Sequence, residues 1–199
     1  MGRLPEKESL VDIFRWRVKE SSESIVSKYK DRLLTYKEYD SNANKVAQGI
    51  INEGCKPNGR VAFLAKNSDQ FFEFLYGTMK SRTVAVGINW RLAPPEVSYV
   101  INDSKSEILF VGKEFYPIIR EIINEIPTIK KIISMDGESE WEHYIFWRDK
   151  FEAIDPFLES NIEDDVIQLY TSGTTGYPKG VQLTNKTVSY THLRAHETV

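Results

Sequence analysis

The chain has one cysteine, Cys55, in 199 residues. An internal disulfide is therefore excluded, and a lone thiol agrees with a reducing, cytoplasmic setting. No apolar run approaches the roughly 18 to 20 residues that a membrane-spanning helix requires. The opening Met1-Gly2-Arg3-Leu4-Pro5-Glu6 lacks the apolar core of a signal peptide, and Glu6 stands where a myristoylation signal carries Ser or Thr. Nor is there an excess of charge of one sign: 26 basic against 29 acidic residues leave a formal net charge of -3. Without a general basic field, nucleic-acid binding has no electrostatic support, whereas a small anion needs only a local site. Internal repeats and low-complexity segments are also missing.

What is present is the composition of a globular domain, 41% hydrophobic and 28% charged, long enough to bury one substantial core. Thr35 and Glu38 form a Thr-x-x-Glu capping box, and Tyr39, Ala43, Val46, Ala47, Ile50 and Ile51 then repeat at helical spacing until Gly54. Val61 to Ala65 reads as a buried strand, and Phe71, Phe72, Phe74, Leu75, Thr78 and Met79 mark the next helix. Thr83 to Ile88 is again a strand, and Pro94 and Pro95 suit the first turn of a helix carrying Val97, Val100 and Ile101. Glu107 to Val111 is the next strand, followed by a helical stripe of Phe115, Ile118, Ile119, Ile122, Ile123 and Ile126 and a strand over Lys130 to Met135. Strands and helices alternating at this spacing predict an α/β fold, a largely parallel sheet with flanking helices, which places ligands at the carboxyl ends of its strands. Trp141, Tyr144, Phe146, Trp147 and Phe151, crowded among charges, read as core-facing aromatics on a short surface helix, as does the Phe71-Phe72-Phe74 cluster.

The chemistry concentrates in Tyr170-Thr171-Ser172-Gly173-Thr174-Thr175-Gly176-Tyr177-Pro178-Lys179-Gly180-Val181. Glycines let backbone N–H groups converge on an anion, and the hydroxyls and Lys179 add further donors, so the run suits a polyphosphate. A Walker A loop is excluded, because it needs GxxxxGK[ST] opening a helix and here Gly180 follows Lys179. Asp165 to Tyr170 reads as a strand, and Val181-Gln182-Leu183 alternates apolar and polar, so the loop joins two strands.

This run resembles, position by position, the signature of the adenylate-forming (AMP-binding) enzymes: acyl-CoA synthetases, aryl-CoA ligases, luciferases and peptide-synthetase adenylation domains. The likeness extends from about Leu10 to Thr184. Leu34-Thr35-Tyr36-Lys37-Glu38 is similar to the family's early T-Y-x-E segment, Gly59-Arg60-Val61-Ala62 to the G-D-R-V-A run that opens a strand, with Asn67-Ser68 after it. Asn89-Trp90-Arg91-Leu92 is similar to the N-W-R-L of fatty and related acyl-CoA synthetases. Two positions depart from the pattern: Arg82-Thr83 replaces small residues, which bears on the tightness of a helix-to-strand turn, and Asn185 replaces a common His, which bears on contacts near the acyl pocket.

The resemblance implies the N-terminal part of the large domain of an ATP-dependent acyl-CoA ligase, which joins a carboxylic acid, a fatty acid, to the α-phosphate of ATP and passes the acyl group to coenzyme A. Within it, Thr171, Ser172, Gly173, Thr174, Thr175 and Gly176 would hold the β- and γ-phosphates. Lys179 would add a mobile point charge, and Thr171 is the hydroxyl ligand implied for Mg2+. The family's Y-G-x-T-E segment, ribose-binding aspartate, hinge and C-terminal lysine are not among these residues, so the catalytic residues are expected beyond them and the chain alone is expected to be inactive. A noncatalytic nucleotide-binding module and an aryl-acid–CoA ligase are the alternatives. Peripheral membrane contact is compatible with activation of a lipid acid.

From Thr187 the sequence resembles the translation of a transposon-end sequencing adapter. Residues 1–186 are thus expected to be a partial AMP-binding domain and 187–199 a non-native tail. His192 and His196 stand four apart, but Leu193 occupies the place where a zinc-protease helix carries Glu, so no metal site is expected there.

Overall fold

A computed structural model describes residues 9–171 and 178–189. Ser9 caps the first helix, α1 (Leu10–Ser21), by accepting from the Asp12 N–H. A hairpin of β1 (Ile25–Tyr29) and β2 (Arg32–Thr35) follows. Thr35 then opens α2 (Tyr36–Asn52) through the expected capping box: the Glu38 N–H donates to Thr35 Oγ1 at 3.2 Å, and the Thr35 N–H to Glu38 Oε2 at 2.9 Å. The alternation then runs β3 (Arg60–Leu64), α3 (Asp69–Lys80), β4 (Val84–Gly87), α4 (Pro94–Ser104), β5 (Ser106–Val111), α5 (Tyr116–Ile122) and β6 (Lys131–Ser134). Last come β7 (Glu142–His143), α6 (Tyr144–Arg148), β8 (Asp165–Thr171) and β9 (Lys179–Thr184).

The strands from β3 onward form one seven-stranded sheet in the order β7-β6-β5-β3-β4-β8-β9. Every pairing in it is parallel except β8 with β9. Side chains alternate across each strand, so one strand feeds two cores. Ala62 and Leu64 on β3 join Val86, Leu109 and Val111 under α4 and α5. Val61 and Phe63 join Ala85, Ile108, Phe110 and Ile133 under α2, α3 and α6. Central strands buried on both faces are continuous apolar runs, which is the physical reason the α/β reading holds.

Three expectations are refined. The stripe ending at Ile126 is not one helix. Pro117 lies in the first turn of α5, the helix ends at Ile122, and a 3-10 turn follows over Ile123–Glu125. Ile123 is left exposed. Among the aromatics after Asp136, Tyr144 and Trp147 are core, Trp141 and Phe151 pack at the edge of the two cores, and Phe146 is 73% exposed. In the phenylalanine cluster Phe74 is buried, whereas Phe72 faces water.

Candidate functional site

The stem of the phosphate-type loop is the antiparallel pair β8–β9, whose last rung pairs Thr171 with Lys179. Cross-strand partners project to the same face of a sheet, so these two residues share a face there, both exposed. The preceding rung on that face is Leu169 opposite Val181, each 43% exposed. The opposite face carries Tyr170 over Gly180. Of the remaining candidate phosphate ligands, Ser172, Gly173, Thr174, Thr175 and Gly176 lie outside the described residues.

Because β8 runs parallel to β4, the loop leaves the sheet at the edge where β3, β4, β5 and β6 also end. This is where parallel α/β sheets hold ligands. The Asn89–Leu92 segment follows β4 on the same edge. The Arg91 N–H donates to Asn89 Oδ1 at 3.1 Å, and the Arg91 guanidinium stacks 4.6 Å from the Trp90 ring. Farther along, where β3 meets β5 and the strand order reverses, the loops after β3, β5 and β6 enclose a cleft of about 630 Å³. Its cations are largely engaged: Arg32 grips Asp69 through two bonds at 2.8 and 2.6 Å, and Lys66 pairs with Glu114 at 2.7 Å.

Thr171 offers one neutral oxygen toward a metal. No cluster of three or more His, Cys, Asp or Glu able to hold a metal occurs among the described residues. A hard cation such as Mg2+ needs several oxygen ligands, so the described residues fit it only as a companion of substrate phosphates. Thr171 and Lys179 do fit a polyphosphate: one donor hydroxyl and one cation on one rung at the ligand-holding edge.

Both departures from the family pattern have structural roles. Arg82 takes a left-handed conformation, φ 55°, beyond the end of α3. The turn is nevertheless tight, with the Arg82 N–H donating to Met79 O at 3.1 Å and the Thr83 N–H to Thr78 O at 2.9 Å. The side chain makes two bonds to Asp164, at 3.1 and 3.0 Å. Asn185 is 2% exposed; its Oδ1 accepts the Leu10 N–H at 3.0 Å and its Nδ2 donates to Asn161 O at 2.9 Å. It ties the start of α1 to the segment entering β8.

Sequence reasoning left Tyr170 without a role and overlooked Asp103 and Gln168. The Tyr170 hydroxyl donates to Asp103 Oδ2 at 2.6 Å and accepts from Gln168 Nε2 at 2.9 Å. Burial, and then the Asp103 carboxylate, push the phenol's pKa up. Burial, and then the nearby Glu107, likewise push the Cys55 thiol up to about 12.

Comparison with known proteins agrees with this geometry. The sequence matches the family described as "AMP-binding enzyme" over residues 14–198. It is 35% identical over 189 residues to the fatty acid–[acyl-carrier-protein] ligase ScoC of Streptomyces coeruleorubidus, covering 94% of this chain and 35% of that protein. It is likewise 35% identical over 170 residues to the long-chain-fatty-acid–CoA ligase FadD13 of Mycobacterium tuberculosis H37Rv, covering 83% of this chain and 32% of that one. Among solved structures, the N-terminal domain of Mycobacterium tuberculosis FACL13 superposes with a TM-score of 0.83 at 31% identity, over 92% of this chain and 46% of that one. The anthranilate CoA ligase AuaEII, bound to anthranoyl-AMP, gives 0.86 at 29% identity, over 92% and 36%. The chain spans about a third of the length of the curated relatives it matches. With the matched residues, the parallel sheet and the phosphate-loop stem in agreement, the chain belongs to the AMP-binding, adenylate-forming enzyme family and corresponds to its N-terminal portion.

Proposed function

We propose that these residues are the N-terminal part of an ATP-dependent acid–thiol ligase that activates a fatty acid as its acyl adenylate and transfers it to coenzyme A. The observation that carries the reading is the Thr171–Lys179 rung at the carboxyl edge of the sheet. In the first step a carboxylate oxygen forms a bond to the α-phosphorus of ATP, and the bond to the bridging oxygen breaks, releasing pyrophosphate with the electron pair. In the second step a thiolate attacks the acyl carbon and AMP leaves. The barrier to the first step is two anions approaching one another while charge grows on the departing pyrophosphate. Donors fixed in advance around the phosphates lower it.

On this reading Lys179 and Thr171 contact the β- and γ-phosphates, with Ser172, Gly173, Thr174, Thr175 and Gly176 completing the cradle. Mg2+ would screen the same phosphates, with Thr171 as its one ligand from the described residues. The names of ScoC and FadD13 favour a fatty acid, while AuaEII, an anthranilate CoA ligase, supports an aryl acid as the second reading. ScoC also makes a carrier-protein thiol an alternative acceptor to coenzyme A. We place the protein in the cytoplasm with small molecules as its partners and no nucleic acid. No helix among the described residues is long and apolar enough to cross a membrane. Peripheral contact with a membrane carrying the lipid acid is compatible with this reading. We take residues 187–199 as a non-native extension and the present chain as lacking turnover.

The test is titration of Mg·ATP into the full-length protein and its Lys179→Ala variant. One lost charge-assisted bond corresponds to about ten- to a hundredfold weaker binding. Equal affinity in the two proteins refutes the reading. Carboxylate-dependent exchange of labelled pyrophosphate into ATP, run over fatty and aryl acids, then identifies the substrate class; exchange by the 199-residue chain itself would refute its inactivity.

A further inference from the structure

Tyr170 and Gly180 face one another across β8 and β9, one rung inside the Thr171–Lys179 pair. A Cβ placed on Gly180 would lie 2.6 Å from Gln168 Nε2 and 3.1 and 3.2 Å from Cζ and Oη of Tyr170. The tyrosine ring and the glutamine amide therefore lie over the Gly180 Cα, where any side chain would have to displace them, while the backbone angle there makes no demand for glycine. The Tyr170 hydroxyl continues past β9 to Asp103 Oδ2 at 2.6 Å, held from the other side by Gln168 Nε2 at 2.9 Å. Gln168 is itself 5% exposed, with Oε1 accepting from Arg60 Nε at 3.4 Å. Asp103 is the penultimate residue of α4, where a carboxylate faces the negative end of the helix dipole. A charge that violates a local preference needs a compensating contact, and the tyrosine supplies one. The same helix begins just after the Asn89–Leu92 segment, so α4 joins that segment to the stem of the phosphate loop.

We propose that Tyr170 is a positioning residue for the phosphate loop: lying across Gly180 and tethered to Asp103, it fixes the Thr171–Lys179 rung and thereby presents hydroxyl and ammonium together. The functional consequence rests on the ATP reading above; the tether itself does not. Burial and Asp103 keep the phenol protonated, so it remains a donor across the physiological range.

The test has two arms. In the 199-residue chain, amide hydrogen exchange at whichever of the two adjacent rungs, Thr171–Lys179 or Tyr170–Gly180, turns its N–H groups toward the partner strand is compared among the unsubstituted protein, Tyr170→Phe, Asp103→Leu, their double variant and Asp103→Asn. Exchange about tenfold faster in each disruptive variant is expected, with no further increase in the double variant and β3–β5 amides unaffected. Asp103→Asn, which retains an acceptor oxygen, restores slow exchange. In the full-length enzyme, Tyr170→Phe raises the KM for ATP about three- to tenfold while kcat falls less than twofold. Unchanged exchange, additive effects, or acceleration spread over the whole sheet would overturn the tether. A full-length protein that binds no ATP would instead remove the enzymatic reading and leave the exchange result standing. A normal KM for ATP in Tyr170→Phe overturns the positioning role.

Discussion

The Lys80 ammonium, wholly removed from solvent, is shared between the carboxylates of Asp155 and Asp40, the latter at 2.9 Å. Asp155 is simultaneously gripped by Arg15 through two bonds at 2.9 and 2.7 Å. The cluster joins α1, α2 and α3 to the irregular segment before β8. A buried charge that loses a partner is expensive, up to about 3–5 kcal/mol, and here Asp155 would stay out of water with Arg15 as its remaining cation while part-exposed Asp40 would lose its ammonium. Lys80→Met, close in shape but uncharged, is therefore expected to lower the melting temperature by roughly 6–20 °C, using about 2–4 °C per kcal/mol for a chain of this size. A calorimetric shift of less than about 2 °C would show that the cluster contributes little.

Acid should act on the same cluster. Burial opposes ionisation of Asp155, but hydrogen bonds from Arg15, Lys80 and the Phe157 N–H more than offset it and hold the carboxyl down at about 2. A depressed folded-state value means the contribution is fully present above the unfolded pKa of about 3.9 and is lost as pH falls through the folded one. The unsubstituted chain should thus lose stability between about pH 4 and pH 2, and Asp155→Asn should be less stable at pH 7 but show a flatter profile over that interval. Glu140, lowered to about 2 by its hydrogen bond from Arg120, makes the contrast. That pair is half exposed, so Glu140→Gln should leave urea unfolding almost unchanged.

The interface of α2 and α3 is set by a missing methyl group. A Cβ on Gly77 would sit 2.4 Å from Val46 Cγ1 and 2.7 Å from Val46 Cβ, with both helices already packed on the sheet. Gly77→Ala is expected to cost about 1–3 kcal/mol as an overpacked contact. Val46→Ala in the same protein should recover part of that loss. Denaturant unfolding of the two single variants and the double gives the coupling energy, and simple additivity would contradict the direct contact.

Why some of this architecture is readable from the residues and some is not follows from the same packing. The segments around Val61, Val84, Ile108 and Ile133 are buried on both faces, so their continuous apolar character survives in the sequence. The capping box is equally plain, because its bonds are local. The β1–β2 hairpin is not, since Ile25 and Leu33 are each 54% exposed and the turn residue in a left-handed conformation is Lys30, not glycine. The apolar spacing overstates the helix after β5 because Ile123 continues it, although that side chain is left 41% exposed. At the site, Thr171 and Lys179 are legible from one contiguous run. Asp103 is not, since it stands 67 residues from the tyrosine it binds and only the order of strands brings α4 beside β9.

Arg82 tests whether a departure from the family's small residue costs stability. Its left-handed backbone conformation is roughly 1–2 kcal/mol less favourable for a side-chain-bearing residue than for glycine. Against this stands the partly exposed ion pair with Asp164, worth about 0.2–1 kcal/mol. The two nearly balance, with the backbone term the larger. Arg82→Gly should therefore be neutral or stabilising by up to about 1.8 kcal/mol, whereas Arg82→Ala, which loses the ion pair and keeps the strain, should be destabilised by about 0.2–1 kcal/mol. The predicted order in urea is glycine, arginine, alanine, from most to least stable. An alanine variant as stable as the glycine one would mean that the left-handed turn carries no strain, and that Arg82 is retained for its grip on Asp164 at no conformational cost.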